Sequence, residues 1–143
     1  MKSTLLIGVC FSMVFFFTHS PVASDGAIIE IIDCNGTVVK IKPDWTGIQY
    51  SLGKGQVELA WDKIDKVEFN WPSCDWPCDE SNKNECYEKY LSSHSINVIF
   101  ANGDKMKTNF YAFKDCGYNL HGKSDHGEFK INAVYIKTLK VLK

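Results

Sequence analysis

One pattern occurs twice in this chain, and that repetition limits its fold more than any other feature. Ile29-Glu30-Ile31 leads to Asn35-Gly36, and Trp61-Asp62-Lys63-Ile64-Asp65-Lys66-Val67-Glu68-Phe69 follows. Further on, Ile96-Asn97-Val98-Ile99-Phe100 leads to Asn102-Gly103, and Ala133-Val134-Tyr135-Ile136-Lys137-Thr138-Leu139-Lys140-Val141 follows. A repeated unit builds the same small set of elements twice, so it fixes architecture while leaving chemistry open.

Within the first copy the apolar period is two. Val39 and Ile41 alternate with Lys40 and Lys42; Ile48, Tyr50 and Leu52 alternate with Gln49 and Ser51; Val57, Leu59 and Trp61 alternate with Glu58 and Ala60. That period belongs to strands with one buried and one wet face, as in antiparallel sheets. The breaks carry turn chemistry at Asn35-Gly36, Asp44-Trp45-Thr46-Gly47 and Gly53-Lys54-Gly55. Five strands are predicted, at 27–34, 37–43, 48–52, 56–61 and 65–70. The second copy repeats the scheme, with Met106, Thr108, Phe110 and Ala112 on one face, breaks at Asp115-Cys116-Gly117 and Lys123-Ser124-Asp125, and a last strand over 136–142. The expected fold class is all-β: two similar five-stranded antiparallel small-barrel modules, 25–70 and 95–143, each with its own core. Ile29, Ile31, Val39, Ile41, Tyr50, Leu59 and Val67 are assigned to one core. Ile96, Val98, Phe110, Leu120, Phe129, Ile131 and Leu139 are assigned to the other.

Between the copies lies a cysteine- and tryptophan-rich linker, 71–94, containing Trp71-Pro72-Ser73-Cys74-Asp75-Trp76-Pro77-Cys78 and a stretch, Asn84 to Leu91, that suits two helical turns. A connection of this length in a compact domain is functional, stapled, or both.

The order of strand, Asn-Gly turn, second strand and short closing turn before a final strand resembles the small barrels of the Sm-like and SH3-like kind. The tandem arrangement also resembles small exported bacterial proteins without an assigned activity. The resemblance covers 27–69 and 95–142 and implies a fold; small barrels host many unrelated roles, so it brings no functional residue with it.

The first 24 residues have the order of a secretory leader. Lys2 is the charged start, Leu5 to Phe17 is an apolar run, and Val22-Ala23-Ser24 supplies small residues for cleavage after Ser24. The alternative is an uncleaved anchor helix, but the run is shorter than the ~20 apolar residues a span requires. The reading predicts a secreted or periplasmic protein with no integral membrane segment after cleavage. The 16 basic residues are all lysines, set against 17 acidic residues for a formal charge of −1. Without arginine's rigid fork, recognition of bases and phosphates loses its main tool, so no nucleic-acid partner is expected.

The candidate sites each have a plainer reading beside them. Exposed Trp71 and Trp76 indoles would suit a protein or carbohydrate partner; alternatively both fold back over an open barrel end, since small domains use every large apolar side chain they have. Cys34, Cys74, Cys78, Cys86 and Cys116 are disulfide candidates in an exported chain. The favoured bridge joins Cys86 to Cys74 or Cys78, and an odd count leaves one thiol over. Zinc held by Cys74, Cys78, Cys86 and His94 is the weaker alternative, because the spacing lacks a tight ligand knuckle. His121 and His126 with Asp125 would suit a metal or a proton shuttle; a solvated turn accounts for them as well. Nothing in the chain marks a nucleophile elbow or a glycine-rich phosphate loop. No catalytic residue, metal ligand or cofactor is therefore assigned. The expected function is that of an exported, non-enzymatic binding or scaffold protein, with the Trp71–Cys86 linker or an open sheet edge as contact surface. The alternatives are an exported metal-dependent enzyme using His121 and His126, or a thiol- or metal-handling protein using the linker cysteines.

Overall fold

The computed structural model describes residues 26–71, 74, 81, 83–113 and 117–143. The predicted leader at 1–24 and the residues Trp76, Cys78 and Cys116 lie outside the described residues. The strands are β1 (Ile28–Asp33), β2 (Val38–Pro43), β3 (Gly47–Leu52), β4 (Gly55–Ala60), β5 (Ile64–Phe69), β6 (Ser95–Phe100), β7 (Lys105–Phe113), β8 (Asn119–Ser124), β9 (Gly127–Asn132) and β10 (Ile136–Leu142). A single helix among the described residues, α1 (Lys83–Ser93), precedes β6, and 3₁₀ turns at Trp61–Lys63 and Ala133–Tyr135 introduce β5 and β10.

Turn chemistry explains the boundaries. Gly36 and Gly103 take the left-handed φ values of 85° and 91° at the β1–β2 and β6–β7 turns, a conformation that favours glycine. Asp33 Oδ1 accepts the backbone N–H groups of Asn35 (2.9 Å) and Thr37 (2.8 Å). In the second turn Asn102 Oδ1 accepts that of Asp104 (2.9 Å). Such side-chain acceptors substitute for the ladder where the chain reverses.

The strands form one curled antiparallel sheet in the order β4-β3-β7-β6-β5-β10-β1-β2-β8-β9. Replacing each of the first five strands by its counterpart among the last five returns the same order read backwards. The chain therefore does not close two separate five-stranded sheets. In each half the second strand leaves its own third strand aside: β7 pairs with β3, and β2 pairs with β8. The β3–β4 and β8–β9 hairpins are exchanged between the halves. The Asp44-Trp45-Thr46 connection shows why, since Asp44 N–H donates to His121 O on β8 at 2.9 Å. The chain leaving β2 is thus bonded to the other half before it turns into β3. Matching hydrogen bonds recur in the two halves. Trp61 N donates to Thr46 O (3.0 Å) as Ala133 N does to Tyr118 O (2.8 Å), and Ala101 N donates to Lys63 O (2.9 Å) as Cys34 N does to Tyr135 O (2.8 Å).

One core follows from one sheet. Ile29, Ile31, Ile41, Tyr50 and Val67 belong to the same buried cluster as Ile96, Val98, Phe110, Leu120 and Leu139, and Val39, Leu59, Phe129 and Ile131 pack half-buried against it. The expectation of two cores is corrected here: β5 and β10 pair with Val67 opposite Leu139, which makes the two apolar faces continuous. Trp61 is the largest fully buried side chain, and its indole N–H donates to the carbonyl of Trp45. Among the described residues no polar or charged side chain is fully buried. The core is therefore predominantly apolar and stabilises by area removed from water, at about 25 cal/mol per Å².

Candidate functional site

The segment after β5 is built into the fold. Trp71 is half-buried; its Nε1 donates to Ala133 O at 2.8 Å, and its ring lies 5.5 Å from Phe69, 5.7 Å from Tyr90 and 5.9 Å from His94. Leu91 of α1 enters the core beside it. Trp71 and α1 together cover the sheet where β5 ends. The His94 ring stacks on Tyr90 at 4.3 Å, with Nδ1 2.9 Å from Tyr90 O, so it caps the last turn of α1. Burial raises the Tyr90 hydroxyl above its ordinary value.

The described cysteines are all in disulfides. Cys34 is bridged to Cys74 with 5.3 Å between Cα atoms, and Cys86 is bonded to a cysteine other than these two. The Cys74–Cys86 alternative is thereby corrected, and with it the zinc set that would need both as thiolates. The cause is the Ala133–Tyr135 turn, which anchors two distant segments at once. Tyr135 O accepts Cys34 N–H at 2.8 Å, and Ala133 O accepts the Trp71 indole at 2.8 Å. Both cysteines are delivered to one place by contacts to this turn, one from backbone and one from an indole, that sequence spacing does not show.

His121 and His126 sit on the β8–β9 hairpin but serve different surroundings. The His121 ring lies edge-on to Trp45, 6.2 Å between centroids, beside the β2–β3 connection. His126 is exposed in the turn, its N–H donating to Ser124 Oγ at 3.1 Å. Among the described residues no group of three His, Cys, Asp or Glu side chains is placed to hold a metal.

His126 does line a pocket, of about 240 Å³, with Asp125, Ser124, Val38, Val39 and Lys40. Its origin is the exchange of hairpins. β2 pairs with β8 only at Lys42–Lys123 and Pro43–Gly122. β8 ends one residue beyond Lys123, at Ser124, and the pocket lies between its turn and Val38–Lys40. Along Val38–Ile41, β2 is paired with β1 on one side, while on the other no described strand completes the ladder. Val38 is 54% exposed at this edge. Ser124 is committed to the turn, its hydroxyl donating to Gly127 O at 3.0 Å. The pocket thus offers an apolar floor, an ammonium, a carboxylate and an imidazole at the rim, and a strand edge that no described strand pairs. Those are groups for binding an extended polar chain.

No family model matches the chain, and neither does any curated protein or solved structure. Among the described residues no helix is long and apolar enough to cross a membrane. Tyr118, beside the β7–β8 connection, has its hydroxyl pushed above the ordinary value by burial first, then by Glu88 and Tyr111.

Val38, Lys40 and Ser124 were not singled out by sequence reasoning. The one signal was Val38-Val39, two adjacent apolar residues in a strand of period two, which forces one of them onto the wet face.

Proposed function

We propose that this protein is an exported, non-enzymatic binding protein that captures an extended peptide segment by strand addition along the edge of β2. The observation that carries the reading is the side of Val38–Ile41 that no described strand pairs, next to the Val38–His126 pocket. A strand edge supplies main-chain hydrogen bonds without regard to sequence, and an adjoining pocket selects every second side chain. The Lys40 ammonium offers a partner to an acidic residue in the captured segment. The leader reading places the mature chain, cleaved after Ser24, in a secreted or periplasmic compartment, which the Cys34–Cys74 bridge supports. The palindromic strand order supports a duplicated small barrel of the Sm-like or SH3-like kind with its hairpins exchanged.

The rival contact surface is the linker around Trp76. Selection from a random peptide library, followed by amide hydrogen exchange of the complex, separates the two. Strand addition expects slowed exchange at Val38–Ile41 and loss of binding in Val38→Lys. Protection confined to 71–86, or no peptide selected, overturns it.

A further inference from the structure

The sheet has a second surface, on the side away from the core. Following the pairings across its six central strands, one row reads Lys40, Glu30, Lys140, Lys66, Ile99, Lys105. With neighbouring strands about 4.8 Å apart, that row is ~24 Å long. Lys40, Lys105 and Lys140 are exposed and Lys66 half-exposed. Lys66 Nζ approaches Glu68 Oε2 at 3.9 Å, a contact between two half-exposed side chains; solvent-screened pairs of that kind hold little energy. Lys40, Lys105 and Lys140 form no ion pair with a described residue.

Two features make this more than scattered surface lysine. First, Lys66 and Lys140 stand directly opposite each other on β5 and β10. Like charges in that position destabilise a sheet, and an anion between them would relieve the cost. Second, the adjacent row, Val38, Ile32, Thr138, Glu68, Asn97, Lys107, occupies the equivalent positions of the other half. There Lys140 is matched by Glu68, Lys66 by Thr138 and Lys105 by Val38. Positive charge is concentrated on one row although the whole chain has a formal charge of −1.

We infer that this row is a binding surface for a linear acidic polysaccharide that crosses the strands from Lys40 to Lys105. Lysine is a point charge that accepts carboxylate or sulfate without demanding a fixed geometry. The row offers no aromatic side chain on which bases would stack, which disfavours single-stranded nucleic acid. A curled sheet meets a plane along a strip, so a chain fits the row better than a bilayer does.

The test uses the full-length mature protein with heparin, alginate, single-stranded DNA and phosphatidylglycerol vesicles as separate probes. Binding to at least one of the two polysaccharides is expected at low salt and should weaken as salt screens it. Lys66→Gln with Lys140→Gln should weaken it at least tenfold, Glu30→Gln should strengthen it several-fold, and Lys54→Gln with Lys130→Gln should leave it unchanged. Circular dichroism checks that each variant is folded, and Lys40→Gln with Lys105→Gln replaces the first pair if it is not. Absence of binding to both polysaccharides, equal loss in the Lys54 and Lys130 control, or tighter binding to DNA or to vesicles overturns the inference.

Discussion

Val67 and Leu139 face one another across β5 and β10, and each is the other's counterpart in the two halves of the chain. Both are fully buried, so the pairing of β5 with β10 joins the two halves of the chain through the core. Leu139→Ala should cost about 2–5 kcal/mol, the range for large truncations in packed interiors. Val67→Ala should be coupled to it by ~0.5–3 kcal/mol in a double-mutant cycle. Urea denaturation followed by fluorescence and by circular dichroism should give one coincident transition. Two separable transitions would mean that the halves fold independently.

Gly122 tests the exchange of hairpins. A Cβ there would lie 2.4 Å from Lys42 O and 2.9 Å from Ile41 Cδ1, so backbone must move. Gly122→Ala should destabilise by ~1–3 kcal/mol, the usual cost of overpacking. Gly55→Ala, whose nearest contact would be an ordinary 3.6 Å, should change the urea midpoint far less. Equal effects would argue against β8 lying on β2.

The Cys34–Cys74 bridge closes a loop with a sequence separation of 40, which the chain-entropy estimate values at about 4 kcal/mol. Peptide mapping of the non-reduced protein should recover the two cysteines in one linked fragment. Cys34→Ser with Cys74→Ser should lower the denaturation midpoint by a corresponding amount. A linked fragment joining Cys74 to Cys86 would refute the assignment.

Tyr118 gives a prediction at alkaline pH. Its folded-state pKa is raised above 10.0, so above that pH the unfolded chain releases a proton that the folded chain retains. The unfolded state then binds fewer protons, and stability must fall as pH rises. Below the unfolded value both states are protonated and the effect vanishes. Tyr118→Phe should therefore flatten the decline of stability above pH ~10 relative to the wild type, measured by urea midpoints across that range. An unchanged slope would show that other groups dominate it.

Much of this fold is legible in the sequence, strand by strand. Alternation around Asn35-Gly36 and Asn102-Gly103 places β1, β2, β6 and β7 to within a residue or two, and Asn84 to Leu91 falls inside α1. What alternation identifies is a face, and a face has no address. Ile41 is equally buried whether β2 pairs with β3 or with β8, so the exchange leaves no trace in the period. Trp71 is similar: its composition suits exposure and burial alike, and the choice rests on Ala133 O, 62 residues away. The pocket at Val38 and His126 joins strands from opposite halves, and its single local mark is the doubled valine.

The exchanged hairpins have a consequence for how such a chain could arise. A gene encoding one half would produce a polypeptide whose second strand lacks its neighbour and whose hairpin lacks a sheet. Two such molecules would complete each other as a twofold homodimer, with no folded monomer to fall back on. Joining them end to end replaces a bimolecular encounter by an internal one, which raises the effective concentration of each half for the other. Once joined, the halves are free to diverge, and one charged row can be kept while its twin is neutralised. Fusion would then have come before specialisation.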